Sequence, residues 1–330
     1  MSISILSVGL VMLLAGSPLA HAQAPDARNP SYEWPWAMPL WGKKMGERGI
    51  DLPLPWGVGI NYLYANQPID ISRIALGVND GEMVDMSDLI EFEEVRSRIH
   101  ALNTRVDLWL FPFMNVYVMG NYVANASTEV NLSQPITLSA LSEQGGGGGG
   151  FGTTVAGGAF GFFGTLDLNW TWNKMENLKD PVGTFLVTPR VGKNFGEVGG
   201  VELIFWVGAM RQKIASETKG SVQLNELFEG GGGAVQEQIL NWYNELPPSR
   251  QALVRGVAGR LGTADDPVIR YELEKSIASP WNMVAGTEMG ITDAWRIRAE
   301  VGFIRRTSFM FGVNYRFGLI RKTDASGGKK

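Results

Sequence analysis

The chain has 330 residues, a formal net charge of -4 and no cysteine. The lack of cysteine excludes disulfides, thiolate zinc sites and cysteine nucleophiles, and the mildly acidic balance gives no reason to expect a nucleic acid as partner. With 45% hydrophobic and 19% charged residues and no sharp change of composition, the length suits one large β domain.

The first 22 residues have the layout of a secretory signal peptide. An apolar stretch, Ile3–Gly16, precedes Ala20-His21-Ala22, a cleavage site of small residues, so that Gln23 is expected to begin the mature chain. The alternative, a membrane-anchoring helix, is disfavoured because the stretch is shorter than the roughly 18 apolar residues that cross a bilayer. We therefore expect residues 1–22 to be removed after export.

Residues 23–55 are rich in proline and tryptophan, as in Trp34-Pro35-Trp36 and Leu52-Pro53-Leu54-Pro55. Proline at this density denies a regular hydrogen-bond ladder. Two interpretations stay open for the segment: a periplasmic arm that plugs the mouth of a barrel, or a disordered tether.

From Trp56 onward, apolar residues alternate with small or polar ones, as side chains on the two faces of a β-strand do. The clearest case is the segment that ends the pattern, where Phe309, Phe311, Val313, Tyr315 and Phe317 share one parity. Ten such segments are predicted as strands: Trp56–Tyr64, Val95–Leu110, Val116–Tyr122, Thr153–Gly161, Thr165–Asn173, Gly183–Asn194, Gly200–Arg211, Trp281–Gly290, Ala294–Phe303 and Thr307–Gly318.

The alternation predicts an all-β fold, a transmembrane antiparallel up-and-down β-barrel over residues 56–318. About ten strands are expected, and twelve if Ile69–Val78 forms another hairpin with a neighbour. Closure of the barrel satisfies every backbone group, so such a chain crosses the membrane without an apolar helix. A polar C-terminal tail, residues 319–330, follows.

The predicted connections alternate between short turns and long outer loops, which is typical of this architecture. Three long loops are expected: Ala65–Glu94, Ser127–Gly152 and Ile214–Pro280. The glycine runs Gly145–Gly150 and Gly230–Gly233 are interpreted as flexible parts of such loops. The loop over residues 214–280 is also expected to contain a helical hairpin, Ala234–Leu246 and Ser249–Leu261, that Pro247-Pro248 divides.

Aromatic residues cluster at the predicted strand ends, as the two interfacial girdles of a membrane barrel require. The periplasmic set is Trp56, Trp109, Phe111, Phe113 and Trp295, and the extracellular set is Trp170, Trp172 and Trp281.

The inward parity collects charged residues of both signs. The lumen-lining candidates are Arg105, Asp107, Arg190, Glu202, Glu288, Arg296, Arg298, Glu300 and Arg316, to which Asp167 belongs by parity. Charges inside a narrow barrel must pair or they cost several kcal/mol each, roughly, which favours a salt-bridged core. The alternative is a narrow conduit in which rings of charge select solutes.

Other chemistry has little support in the sequence. His100 is the one histidine after residue 22 and is a candidate base for an outer-membrane hydrolase, but no serine or carboxylate shares its face of the same strand. No catalytic residue is therefore assigned. No metal site and no cofactor are predicted, because the acidic groups Asp265-Asp266 and Glu91–Glu94 are more simply explained as solvated charge.

Two stretches resemble poorly characterised Gram-negative outer-membrane β-barrel proteins. The first is Arg105–Tyr122, a strand-turn-strand unit, and the second is Gly302-Phe303 with Tyr315-Arg316-Phe317, similar to the aromatic last strand that the barrel-assembly machinery recognises. The resemblance implies an outer-membrane location, with Tyr315 and Phe317 as the assembly signal. It implies no catalytic residue, and the tail after Phe317 departs from a signal that usually ends the chain.

These observations favour passive or gated passage of small solutes as the function. The alternative is a sealed structural or surface-interaction barrel with binding loops, and a third hypothesis is an outer-membrane hydrolase that uses His100. The expected partners are outer-membrane lipid and lipopolysaccharide, the barrel-assembly machinery and, for a channel, a small solute.

Overall fold

Antiparallel β-strands make up most of the computed structural model. It describes residues 33–134, 138–176, 180–214, 217–223, 241–261 and 268–319. The strands are β1 Trp56–Val78, β2 Val84–Asp85, β3 Glu91–Phe111, β4 Met114–Gln134, β5 Leu138–Ala159, β6 Phe162–Met175, β7 Val182–Val198, β8 Val201–Ile214, β9 Glu217–Gln223, β10 Val268–Ile277, β11 Trp281–Gly290, β12 Trp295–Phe303 and β13 Thr307–Phe317. The helices are α1 Gly42–Gly46 and α2 Pro248–Leu261, and residues 241–245 are also helical.

Ten of the strands close into a barrel: β1, β3, β4, β5, β6, β7, β8, β11, β12 and β13. Each pairs with the next, and β13 pairs with β1 from Trp56↔Phe317 to Asn66↔Thr307. The ten predicted strands are thus confirmed. No helix in the described ranges is long and apolar enough to cross a membrane.

The two longest connections between ring strands, from β1 to β3 and from β8 to β11, are both at one end of the barrel. At the end where β1 begins and β13 ends, the links are short, and Phe160-Gly161 and Gly199-Gly200 are two-residue turns with positive φ. Short turns at the end with the termini are the periplasmic pattern of outer-membrane barrels. We therefore call this end periplasmic and the opposite end extracellular.

At the extracellular end the sheet continues past the ring. The second half of β1 leaves β13 and pairs with β10, from Ile69↔Ile277 to Val78↔Ile269, and β9 pairs with β10. Long upper parts of β3, β4 and β5 stand on the other side of β1. We call this six-stranded part, in the order β5-β4-β3-β1-β10-β9, the extension.

The extension corrects several predictions. Ala65–Glu94 and Ser127–Gly152 are not long loops, because β1, β3, β4 and β5 run through most of both ranges. Gly145–Gly150 is not a flexible loop either, since the whole run lies within β5 and is hydrogen-bonded on both sides. Ile69–Val78 forms no separate hairpin of a twelve-strand ring, because it is the upper half of β1. Ile214–Pro280 is not all loop, since β9 and β10 fall within it.

The predicted helical hairpin is present as far as the structure describes it. Residues 241–245 and α2 are helical, and Trp242, Leu246 and Val254 pack against the apolar interior of the extension. Residues 234–240 lie outside the described ranges, as do 1–32, Gly230–Gly233, Asp265-Asp266 and 320–330.

The outside of the ring is apolar and is bordered by aromatic side chains. Ile60, Val118 and Val191 are about 60% exposed, as lipid-facing residues are. At the periplasmic rim Trp295 packs on Tyr315 with ring centroids 4.9 Å apart. Trp109 was wrongly predicted as a girdle residue: its side chain points inward and is 1% exposed.

Residues 33–55 cross the periplasmic mouth. The backbone N–H of Ala37 donates to Leu319 O, 3.0 Å away, after the end of β13, and that of Leu40 donates to Leu110 O, 2.9 Å away, near the end of β3. Asp51 borders a cavity of about 490 Å³ that is otherwise formed by the turns of the opposite wall and nearby strand ends. We call residues 33–55 the arm.

Candidate functional site

The barrel interior below the extension contains three groups of ion pairs. They arise because the inward parity of consecutive strands carries charge while the outward parity carries apolar side chains. All nine residues predicted as lumen-lining lie inside the barrel, as does Asp167.

The first group joins β3 to β13. Asp107 accepts a hydrogen bond from Arg316 Nη1 at 3.1 Å and lies 3.7 Å from Arg105 Nε. Asn115 donates to Asp107 and accepts from Arg105, at 2.7 Å in each case. The Arg105 guanidinium also lies 3.6 Å from the ring centroid of Tyr117, so one carboxylate holds two arginines in place.

Arg316 also binds the chain just before β1. Its Nε donates to Leu54 O at 2.7 Å and its Nη2 to Pro55 O at 3.3 Å. The last strand is thus tied to the end of the arm as well as to β3.

The second group lies in the middle of the barrel. Arg190 binds Glu300 through two hydrogen bonds, of 2.8 and 3.0 Å, and also binds Asp167. Glu300 further accepts from Trp206 Nε1 at 2.7 Å and from Arg298 at 3.3 Å. A bidentate arginine–carboxylate pair holds the two side chains in one orientation as well as pairing their charges.

The third group lies nearer the periplasmic mouth. Arg296 is 3.0 Å from both Glu288 and Glu202. Asn194 donates to Glu202 at 2.6 Å. Arg296 and Glu202 border the cavity next to Asp51 of the arm.

Charge is balanced within this interior. The three groups contain five arginines and five carboxylates, and each of the ten takes part in an ion pair. Nine of the ten side chains are at most 4% exposed and Glu202 is 16% exposed. The groups therefore form a filled ionic core in the described structure.

A row of asparagines lies above the ionic core. Asn61 donates to Asn103 at 3.2 Å, Asn103 to Asn121 at 2.7 Å, and Asn121 to Asn173 at 3.0 Å. The last bond crosses β5, where Gly148 is in register with both asparagines. We call these four residues the asparagine row, and the glycine between them leaves space for the bond.

Above the row, the interior becomes apolar. Leu63, Ala101, Val123 and Met175 each follow an asparagine by two residues toward the extracellular side, and all four are at most 2% exposed. They belong to one cluster that continues through Ile69 and Leu273 into the extension. There it meets the helical residues 241–245 and α2, which we call the helical insert.

Lys275 is a buried cation within the mainly apolar interior of the extension. It is 2% exposed, is in register with Ile71, and its ammonium has no hydrogen-bond partner in the described structure. The apolar exterior of β1 ends at Tyr64, so Lys275 lies beyond the membrane-spanning part. Burial lowers the pKa of Lys275 to about 7.

His100 lies on the outside of β3, where the apolar exterior ends. Its Nδ1 is 2.8 Å from the hydroxyl of Tyr62 on β1, and its ring centroid is 5.1 Å from that of Tyr64. This contact comes from a neighbouring strand, but a tyrosine is neither the serine nor the carboxylate that a hydrolytic site needs. Catalysis by His100 stays a prediction.

Sequence parity found the charged groups but missed other residues of the interior. Tyr117 and Trp206, which pack against arginines, were not identified, nor were the asparagine row and Lys275. The alternation of Asn103 with Leu102 was a usable signal for the row. No sequence signal connects Asn121 with Asn173 across the glycines of β5.

No family model matches the chain, and no curated protein does. Similar solved structures include the β domain of the Bordetella autotransporter BrkA (7% identity, 80% of this chain and 100% of that chain, TM-score 0.39). A second is the outer membrane protein OprG from Pseudomonas aeruginosa, with 11% identity, 81% of this chain and 98% of that chain covered, and a TM-score of 0.39. A third is the translocator domain of the autotransporter NalP from Neisseria meningitidis, with 11% identity, 80% of this chain and 88% of that chain covered, and a TM-score of 0.35.

The closed ring, apolar exterior and aromatic rims of the chain are themselves the architecture of a transmembrane β-barrel. At these identities and TM-scores the likeness carries no conclusion about activity.

Proposed function

We propose that the protein is a sealed outer-membrane barrel that acts through its extracellular extension, as a structural or surface-interaction protein. The observation that carries the proposal is the filled interior: ion pairs below the asparagine row and an apolar cluster above it. A conducting lumen presents its charges to hydrated solutes, whereas these charges face one another.

Opening a path would require breaking buried ion pairs. Separation of one partner from a buried pair costs roughly 3–5 kcal/mol because it leaves an uncompensated charge. Several pairs share Glu300 and Asp107, so the groups have to move together. This supports a barrel that stays closed at rest.

Single-channel recording in a planar bilayer tests the proposal. The refolded chain that begins at Gln23 is expected to give no discrete current steps, while heat-modifiable migration on a gel reports an intact barrel. Discrete steps with a reproducible ion preference would contradict the sealed barrel. They would make Arg105, Arg190, Arg298 and Glu300 the first selectivity residues to replace.

Gated passage of small solutes is the second candidate, and the arm is the observation that favours it. The arm crosses the periplasmic mouth and is attached to the rim at separate points, a suitable arrangement for a movable plug. Deletion of residues 23–52, and separately of the helical insert, is expected to raise conductance if the barrel is gated. Silent membranes with both deletions, in a folded barrel, would count against passage.

The remaining partner predictions concern the membrane. Tyr315 and Phe317 are outward-facing residues of the periplasmic rim and stack on each other and on Trp295 and Trp56. We propose them as the segment that the barrel-assembly machinery reads. Outer-membrane lipid and lipopolysaccharide are proposed as the surroundings of the apolar exterior and its extracellular rim.

A further inference from the structure

One lysine interrupts the apolar exterior of the ring. Lys193 on β7 faces outward at the level of Phe162, an aromatic residue of the periplasmic rim. The outward residues before and after it, Val191 and Phe195, are apolar and more than half exposed. A cation on the lipid face costs little at this level, near the interface, and there it can reach the phosphate groups of lipids.

Lys193 borders a groove in the outer wall of the barrel. The groove has a volume of about 870 Å³ and lies over β6, β7, β8, β11 and β12. Its outward-facing residues include the small Gly164, Ala285, Thr287 and Ala299 and the larger Phe162, Phe205, Val207 and Val301. Phe205 and Val207 are on β8, the central strand of the five, with the small residues on the strands to either side.

The position of the lysine within the groove is defined by aromatic rings. Its ammonium lies 5.0 Å from the ring centroid of Phe162 and 5.3 Å from that of Phe195. Both distances suit cation–π contacts. In the described part of the chain no carboxylate forms an ion pair with Lys193, so its charge is left for a group that the protein does not supply.

The groove lies toward the periplasmic side of the membrane. Lys193 is in register with Phe162, which directly follows the turn Phe160-Gly161 at the periplasmic end. Above Lys193 the groove continues along apolar residues toward the middle of the bilayer. A molecule that fits has a negative head near the periplasmic interface and a long apolar tail.

We infer that the groove binds one glycerophospholipid of the periplasmic leaflet, with an acyl chain against its apolar residues and the phosphate at Lys193. A lysine ammonium is a compact point charge that donates to a phosphate oxygen, and the resulting bond is charge-assisted. The apolar walls gain contact with the chain along its length. This site is on the outer wall, so it is independent of whether the lumen conducts.

Native mass spectrometry of the whole refolded chain in detergent, titrated with phosphatidylglycerol, tests the inference. The unaltered protein is expected to retain one lipid. Lys193→Gln is expected to weaken retention about tenfold, the effect of one lost hydrogen bond to a charged group. Lys193→Arg should preserve most of it.

A second variant tests the groove without touching the lysine. A Cβ at Gly164 would meet only the carbonyl oxygen of Arg190, at 3.9 Å, so Gly164→Leu fills the groove with little strain on the wall. It is expected to abolish retention while heat-modifiable migration stays normal. Lys213→Gln, which removes an exposed lysine from the opposite rim, is the matched control and should bind as the unaltered chain does.

Three results would overturn the inference. Equal retention by Lys193→Gln and the unaltered protein would remove the role of the charge. Equal retention of diacylglycerol, which lacks the phosphate, would reduce the site to an acyl groove without head-group recognition. A dimer that disappears with Gly164→Leu, without bound lipid, would assign the groove to a second copy of the chain.

Discussion

The membrane-spanning ring and the extension are opposite in polarity, although β1, β3, β4 and β5 run through both. Within the membrane the outside is apolar and the inside is ionic, whereas in the extension the outside is polar and the inside is mainly apolar. The inversion is visible on β3, where outward Leu102 and inward Asn103 are followed, toward the extracellular side, by outward Arg98 and inward Ile99.

The asparagine row marks the level at which the inversion occurs. Lipid imposes an apolar exterior, so the closed wall within the membrane has only its interior in which to place polar groups. Above the membrane, water surrounds the sheet, and the hydrophobic effect places apolar residues inside and under the helical insert. The surrounding solvent, rather than strand topology, therefore decides which face of each strand carries the apolar residues.

The largest effect is expected from Glu300→Gln. This change leaves Arg190 and Arg298 without their shared carboxylate, and the free energy of unfolding should fall by roughly 3–5 kcal/mol. Unfolding by urea in lipid vesicles measures it. The matched control is Glu274→Gln in the extension, whose pair with Arg73 is 45–47% exposed, so the loss of stability should be much smaller. Equal effects would show that the ionic core is no more sensitive than the surface.

An intermediate effect is expected from pH at Lys275. Its native pKa of about 7 is below the ordinary lysine value of 10.5, so below pH 7 the lysine is charged in both states and the cost of its burial is complete. The extension should gain stability as the pH rises from about 7 to 10.5, on the order of a few kcal/mol. Hydrogen exchange in β10, corrected for the intrinsic rate at each pH, reports this gain.

Lys275→Met is the control for that pH dependence. It removes the titrating group, so the opening free energy of β10 should be higher at pH 7 and nearly constant up to pH 10.5. The same pH dependence in Lys275→Met as in the unaltered chain would assign the effect to another group.

The smallest effect is expected at the glycines of β5. A Cβ at Gly148 would meet the carbonyl oxygen of Trp172 and would lie 2.7 Å from Asn173 Oδ1, so Gly148→Ala should disturb the asparagine row and cost about 1–3 kcal/mol. A Cβ at Gly157, on the same strand, would have no atom within 4 Å. Gly157→Ala should therefore unfold no more easily than the unaltered barrel, and equal losses in both variants would exclude a special role for Gly148.

The membrane half could be predicted from the sequence because lipid makes the alternation strict. Outward Phe309, Phe311 and Val313 all had to be apolar, and the parity that located them also located Arg298 and Glu300 inside. The extension was missed because its interior breaks the pattern. Gln67, Ser97 and Thr128 are in register on three strands and are all buried, so three strands lose their alternation at one level.

The other wrong or missing predictions have two causes, runs of glycine and the long separation in sequence between ion-pair partners. A run such as Gly145–Gly150 has no side chains that could alternate, and composition alone favours a loop. The ion pairs could not be predicted individually, since Arg190 and Glu300 are 110 residues apart and meet across the barrel. Parity gives the face of a strand but not the partner on the opposite wall.

The divided pairing of β1 has a consequence for how the molecule assembles. Its lower half pairs with β13 and its upper half with β10, so the first strand of the ring is completed only by segments that are synthesised last. Until they arrive, β1 presents an open edge along its whole length, and such edges attract other strands. A loop of some two hundred residues has to close before either contact forms, which makes this topology slow to fold. The chain therefore requires protection of one edge strand throughout its passage to the membrane.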